Sequence, residues 1–251
     1  MAWRETILRT FGPGLLGGIT VDHWVKLLRD NHFAVSPTCL NRAMAISLHS
    51  LQNSIYRRYE QWRYGPKLKD VAVQPPLFLL GHWRNGTTHL HNLMTVDERF
   101  AFANNYQVFY PHSFLSTEAS ASRLLAFFMP KRRPMDNVEW NLQSPQEDEF
   151  ALCIASGKSP CMGWVFPRRQ EHYDQYLTFR GVPPAEVACW QEAFRLFLKK
   201  LTWKYGRPLV LKSPPTPAGS GCCSTCSRTP SSSTFSATRM PCSRPASGRS
   251  R

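Results

Sequence analysis

The sequence predicts an α/β fold, a P-loop-like parallel sheet flanked by helices, on three observations. Residues 77–80, Leu-Phe-Leu-Leu, make an uninterrupted apolar run of the length of a buried parallel strand, and a glycine-bearing loop and helix start follow at once. Leu209, Val210 and Leu211 make a second such run. Just upstream of it, Val187, Trp190, Phe194, Phe197, Leu198 and Leu201 recur at helical spacing, the pattern of an alternating helix and strand.

The elements follow in order. Residues 20–64 read as mostly helical, with Thr20 or Asp22 as a cap before Trp24, Leu27 and Leu28. The helix resumes after Ser36 and Pro37, which suit the N-cap and first helical positions. Leu40, Met44, Leu48, Leu51 and Ile55 then recur three and four residues apart, which predicts one apolar stripe packed on the core. A basic run follows, Arg57, Arg58, Arg63, Lys67 and Lys69 among Tyr56, Tyr59, Trp62 and Tyr64. It reads as a solvated helix end or as a surface that touches lipid or nucleic acid. Gly65 and Pro66 are expected to end the helix. The expected organisation is a helical region over 1–70, an α/β core over 71–215 and a low-complexity tail over 216–251.

The loop after the first strand carries the clearest chemical signal. Gly81, His82, Trp83, Arg84, Asn85, Gly86, Thr87 and Thr88 lie between strand and helix. Gly81 and Gly86 let backbone amides approach an anion, the two threonines add hydroxyl donors, and the first helical turn adds unpaired N–H groups. The spacing imitates GxxxxGK[ST], but Thr87 stands where that motif has Lys and Arg84 is the loop's cation, which disfavours ATP hydrolysis. A plain strand-to-helix turn would use the same glycines. At the end of the second strand, Lys212 and Ser213 lie where open α/β sheets gather ligands, or serve as a surface charge and cap.

The stretch PPLFLLGHWRNGTTHLHNLMTVDERF resembles the 5'-phosphosulfate-binding strand, loop and helix of the sulfotransferase family, in its bacterial form with an RSGTT-type loop. FYPHSFL at 109–115, KRRPMDNV at 131–138, PQEDEFAL at 145–152 and YGRPLVLKSPP at 205–215 extend the resemblance over most of the body. The resemblance implies a parallel α/β sheet and transfer of a sulfuryl group from 3'-phosphoadenylyl sulfate (PAPS) to a hydroxyl or amine acceptor. It also implies that Arg84 clamps the phosphosulfate bridge while Asn85, Gly86, Thr87 and Thr88 hold the 5'-phosphate. A non-catalytic P-loop-like nucleotide-binding protein is the alternative reading.

An acceptor hydroxyl must lose a proton, and Glu147, Asp148 and Glu149 are the densest carboxylates, so Glu147 and Glu149 are candidate bases. Acids at a helix start also serve its dipole. His82, His89 and His112 are rivals, His82 being nearest the anion loop. The family often carries an acid after the loop helix, where this chain has Asn104 and Asn105. Phe100, Phe102, Tyr106, Phe109, Tyr110 and Phe114 line either the core or an acceptor pocket.

From Thr216 the pattern stops. The last 36 residues hold ten Ser, five Thr, five Arg, four Pro and four Cys, and no Leu, Ile, Val, Lys, Asp or Glu. The resemblance requires a strand and helix for the adenosine 3'-phosphate there, so the pattern reads as truncated or frameshifted after Pro215, the tail as non-native or disordered, and activity is left open. With 31 Lys and Arg against 17 Asp and Glu, the charge of +14 excludes an acidic surface. The expected partners are a small-molecule or glycan acceptor and a weakly held membrane surface, with no specific nucleic acid. Cys222, Cys223 and Cys226 lack companion ligands, so no metal is predicted, and Cys39, Cys153, Cys161 and Cys189 read as free thiols. No apolar run approaches the roughly 18 residues of a membrane span, so the expectation is a cytoplasmic protein.

Overall fold

The computed structural model describes residues 14–81, 86–128 and 141–212. Among them are three short strands, β1 (Leu77–Leu79), β2 (Ala101–Phe102) and β3 (Leu209–Lys212), in one parallel sheet of order β1-β3-β2. Leu77 pairs with Val210 and Leu79 with Lys212 on one side of β3, and Ala101 pairs with Leu209 on the other. The fold is the expected α/β arrangement. All four β3 residues are buried, as an apolar central strand requires, whereas Leu77 and Phe78 at the edge are half-buried.

Helices cover the sheet. Those described are α1 (Val21–Asp30), α2 (Leu40–Lys69), α3 (Thr87–Met94), α4 (Asn105–Phe109), α5 (Phe114–Phe128), α6 (Asp148–Ser156), α7 (Gln170–Thr178) and α8 (Pro184–Tyr205). The periodic residues of α8 are its core face, with Trp190, Phe194, Phe197, Leu198 and Leu201 buried against Ala101, Leu209 and Leu211 of the sheet. Tyr106 and Phe114 belong to the same cluster, so these two members of the aromatic group are core. A second cluster joins Leu16, Ile19, Trp24 and Leu27 to Met162, Tyr173 and Tyr176, and Phe150 and Phe179 pack against both.

Two expectations for the long helix fail. Pro66 does not end it: α2 runs on to Lys69, where Leu68 is buried and Lys199 Nζ donates to the Lys69 carbonyl at 2.8 Å. Tertiary contacts of the last turn outweigh the hydrogen bond that proline cannot donate. The apolar stripe, moreover, is not core. Leu40, Met44, Leu51 and Ile55 are exposed, and Leu48 keeps 70% of its surface. The inward face is instead largely polar. Asn53 Nδ2 donates to the Gly17 and Ile19 carbonyls at 2.8 and 3.0 Å, Trp24 Nε1 to Ser47 Oγ at 2.9 Å, and the Val21 amide to Ser54 Oγ at 2.9 Å. Arg57 adds an ion pair with Asp22 at 2.9 Å. Hydrogen bonds orient this helix, and they come from residues that lie off its leucine stripe.

The cysteines of the described residues, Cys39, Cys153, Cys161 and Cys189, are free thiols. Burial pushes the Cys161 thiol up to about 12, which holds it protonated and inert. Among the described residues, no helix is long and apolar enough to cross a membrane, and no group of three or more His, Cys, Asp or Glu could hold a metal ion.

Candidate active site

The site is built on the carboxyl ends of the strands. β1 leads through Gly81 and the loop into α3, whose N-cap is Gly86. Gly86 has φ +76°, a left-handed conformation that a Cβ would strain, and no side chain caps the helix. At Gly81, a Cβ would lie 2.5 Å from Thr87 Cγ2, so a side chain there would force Thr87 to shift. The first-turn N–H groups of a helix have no intrahelical acceptor, which makes the start of α3 a suitable place for an anion.

Lys212 closes β3 and is 4% exposed. Its Nζ donates to Thr88 Oγ1 at 2.8 Å and pairs with Glu147 Oε1 at 2.8 Å. Thr88 comes from the β1 side of the sheet and Glu147 from the β2 side, so the two meet at the end of the central strand. Glu147 is held there by its own segment. The Gln146 amide donates to the Ala103 carbonyl at 3.0 Å, Asn104 and Pro145 form an antiparallel bridge, and Gln146 Nε2 donates to Asn105 Oδ1 at 2.8 Å. Glu147 is the N-cap residue of α6, yet its carboxylate reaches Lys212 instead of capping the helix.

Of the predicted residues, Gly81, Gly86, Thr87, Thr88, Lys212 and Glu147 thus lie around one locus. Glu149, two residues on and so turned away from Glu147 around the helix, is buried and accepts from Ser159 Oγ at 2.6 Å, beside the Cys161 thiol whose proton its charge helps retain. His82, Arg84, Asn85 and Ser213 lie outside the described residues, as does the tail after Pro215. His89 is exposed on α3. His112 is buried beside His23, with ring centroids 5.5 Å apart, and burial lowers its pKa well below the ordinary imidazole value.

His91 went unread in the sequence. It lies three residues after Thr88 on the buried side of α3, is 2% exposed, and hydrogen-bonds the Val210 backbone. Burial first, then the positive charge of Lys212, lower its pKa to about 4, so at neutral pH it is an uncharged wall of the site. Its Nε2 has no hydrogen-bond partner among the described residues. The spacing from Thr88 was the available signal. Where β2 ends, Asn104 Nδ2 and Gln107 Nε2 donate to Glu118 at 2.8 and 3.0 Å, and Lys204 pairs with the same carboxylate. This position therefore carries an acid supplied from α5, bound by amides and an ammonium.

A cavity of about 40 Å³ elsewhere, against α1, α6 and α7, includes Lys158 and Tyr176 but none of the predicted site residues. Lys158 is already satisfied there by Glu186 at 2.9 Å and Tyr176 OH at 3.1 Å.

No protein-family model matches the chain. It is 33% identical over 213 residues to the ω-hydroxy-β-dihydromenaquinone-9 sulfotransferase Stf3 of Mycobacterium bovis and to that of Mycobacterium tuberculosis, a match that covers 84% of this chain and 53% of each relative. The chain spans about half the length of these curated relatives. The crystal structure of sulfotransferase STF1 from Mycobacterium tuberculosis superposes with a TM-score of 0.41 at 16% identity, covering 77% of this chain and 54% of that one. Over the matched 213 residues the chain belongs to the sulfotransferase family.

Proposed function

We propose that the chain acts in sulfuryl transfer from PAPS to the hydroxyl of a small, lipid-soluble acceptor, with Lys212, Thr87 and Thr88 holding the donor's 5'-phosphate end. The observation that carries this reading is the buried Lys212 ammonium, bound to Thr88 and Glu147 at the start of α3, whose N-cap Gly86 has no side chain to cap it. A cation and a hydroxyl in contact at the start of a helix suit a tetrahedral anion. PAPS supplies the activated sulfuryl group and a phosphate that leaves with the bond electrons. The acceptor class is suggested by the ω-hydroxy quinone in the name of the relatives.

Each residue has a separate task. Lys212 compensates charge on phosphate oxygens and, being held by β3, needs little reorganisation to do so. Glu147 neutralises Lys212 while no anion is bound. When a phosphate takes the ammonium, the Glu147 carboxylate is released to accept the acceptor's hydroxyl proton. His91, uncharged, leaves Lys212 without a competing cation. Arg84, from the loop, fills the clamp role that the sequence resemblance gives it.

Titration of the protein with adenosine 3',5'-bisphosphate and with ATP, beside a labelled-sulfate transfer assay, tests this reading. The bisphosphate is expected to bind more tightly than ATP, and Lys212→Ala to weaken it by about tenfold or more, the worth of one charge-assisted hydrogen bond. Glu147→Gln is expected to lower turnover by about 10²-fold or more while bisphosphate binding is kept or tightened, because the carboxylate no longer competes for Lys212. Preference for ATP, or full turnover in Glu147→Gln, overturns the assignment.

A further inference from the structure

The stripe on α2 has no function in the site just described. At 100° per residue, Met44, Leu48, Leu51, Ile55, Tyr59 and Trp62 share one sector of the helix, and Ile46, Ser50, Asn53 and Glu60 occupy the opposite, buried one. The sector runs for about 27 Å at the helical rise. Every one of the six is exposed, Trp62 to 74%. A contiguous apolar surface of this length is uncommon on a soluble body and marks a contact.

The charges around the stripe choose the contact. Arg58, Arg63, Lys67 and Lys69 are exposed on the same helix. Its sole acidic side chain, Glu60, is 2% exposed and paired with Lys200 at 2.6 Å. No carboxylate therefore reaches solvent from α2. A second copy of the helix laid along the first, in either direction, would offer these cations no exposed carboxylate as counter-charge. The tryptophan and tyrosines stand at the cation-rich end, with Tyr59 and Trp62 ring centroids 6.1 Å apart. Apolar stripe, interfacial aromatics and flanking cations without acids are the features that seat a helix in the plane of an anionic bilayer.

We infer that α2 is a membrane-surface element that lies on anionic lipid along its Met44–Trp62 stripe. The docking is independent of the sulfuryl-transfer reading and needs neither donor nor acceptor. It would place the protein on the phase in which a lipid-soluble alcohol resides.

Cosedimentation of the full chain with phosphatidylcholine vesicles, with and without phosphatidylglycerol, provides the test, with size-exclusion chromatography run in parallel. Binding is expected to the anionic vesicles, to weaken as salt is raised, and to fall by about tenfold or more in the double variant Leu48→Gln, Trp62→Gln. Both side chains are exposed, so the variant should retain its circular dichroism and unfolding midpoint. Arg63→Gln with Lys67→Gln should weaken only the anionic-lipid component. The inference is overturned by failure to bind either vesicle, by binding indifferent to the Leu48 and Trp62 substitutions, or by a stable dimer that those substitutions dissociate.

Discussion

Glu60 and Lys200 carry opposite charges into one dry volume, and neither is stable there alone. Their atoms lie 2.6 Å apart with side chains 2% and 7% exposed, and Lys200 also donates to the Pro111 carbonyl at 2.8 Å while Glu60 accepts from the Ser116 amide at 3.0 Å. Burial lowers the Lys200 pKa, and the adjacent carboxylate opposes that shift. Lys200→Met should cost about 3–5 kcal/mol in chemical denaturation, because a buried carboxylate is left without its counter-ion. Adding Glu60→Gln to it should recover part of the loss, whereas additive costs would mean that the two do not act as a pair. At this same scale the sequence yielded Thr88, Lys212 and Glu147, because strand ends and a loop glycine locate chemistry in an α/β sheet. It did not yield Glu118, since nothing local distinguishes a buried glutamate on a helix from an exposed one, and it passed over His91, whose one signal was its helical spacing from Thr88.

Pro66 illustrates what an element tolerates. It lies in the last turn of α2, on the exposed side, and leaves the Trp62 carbonyl without its helical donor. Pro66→Ala should restore that bond and raise the unfolding free energy by about 1–3 kcal/mol, read as a higher melting temperature; a loss of stability would show that the proline is instead required for the exit toward β1. Punctuation residues were thus a poor guide to where α2 ends, although uninterrupted apolar runs located β1 and β3 and periodicity located α8. The stripe misled for a different reason. Periodicity says that residues share a face, not which way the face points, and the choice in α2 is made by Asn53, Ser47 and Ser54, polar residues whose hydrogen bonds to the 17–24 segment leave the leucines outside.

Across the whole molecule, buried and half-buried histidines shape the response to acid. His91 is held from an ordinary value near 6.5 to about 4, and His112, His23 and His49 are also lowered, each chiefly by burial. Between these limits the unfolded chain binds the proton and the folded one does not, so stability is full above about pH 6.5 and is lost as pH falls toward 4. The depression at His91 alone corresponds to about 3 kcal/mol. Unfolding midpoints measured from pH 7 to 4 should therefore fall, and His91→Gln should flatten the decline; an unchanged slope in that variant would remove His91 as a cause.

The strand order has a temporal meaning as well. β1 and β2 each hydrogen-bond to β3 and not to each other, and β3 begins at Leu209. As the chain leaves the ribosome, both outer strands must wait more than a hundred residues for the strand that joins them. The cation of the candidate site, Lys212, arrives in that same joining strand, so the pairing of β1 and β2 with β3 and the anion locus come into being together.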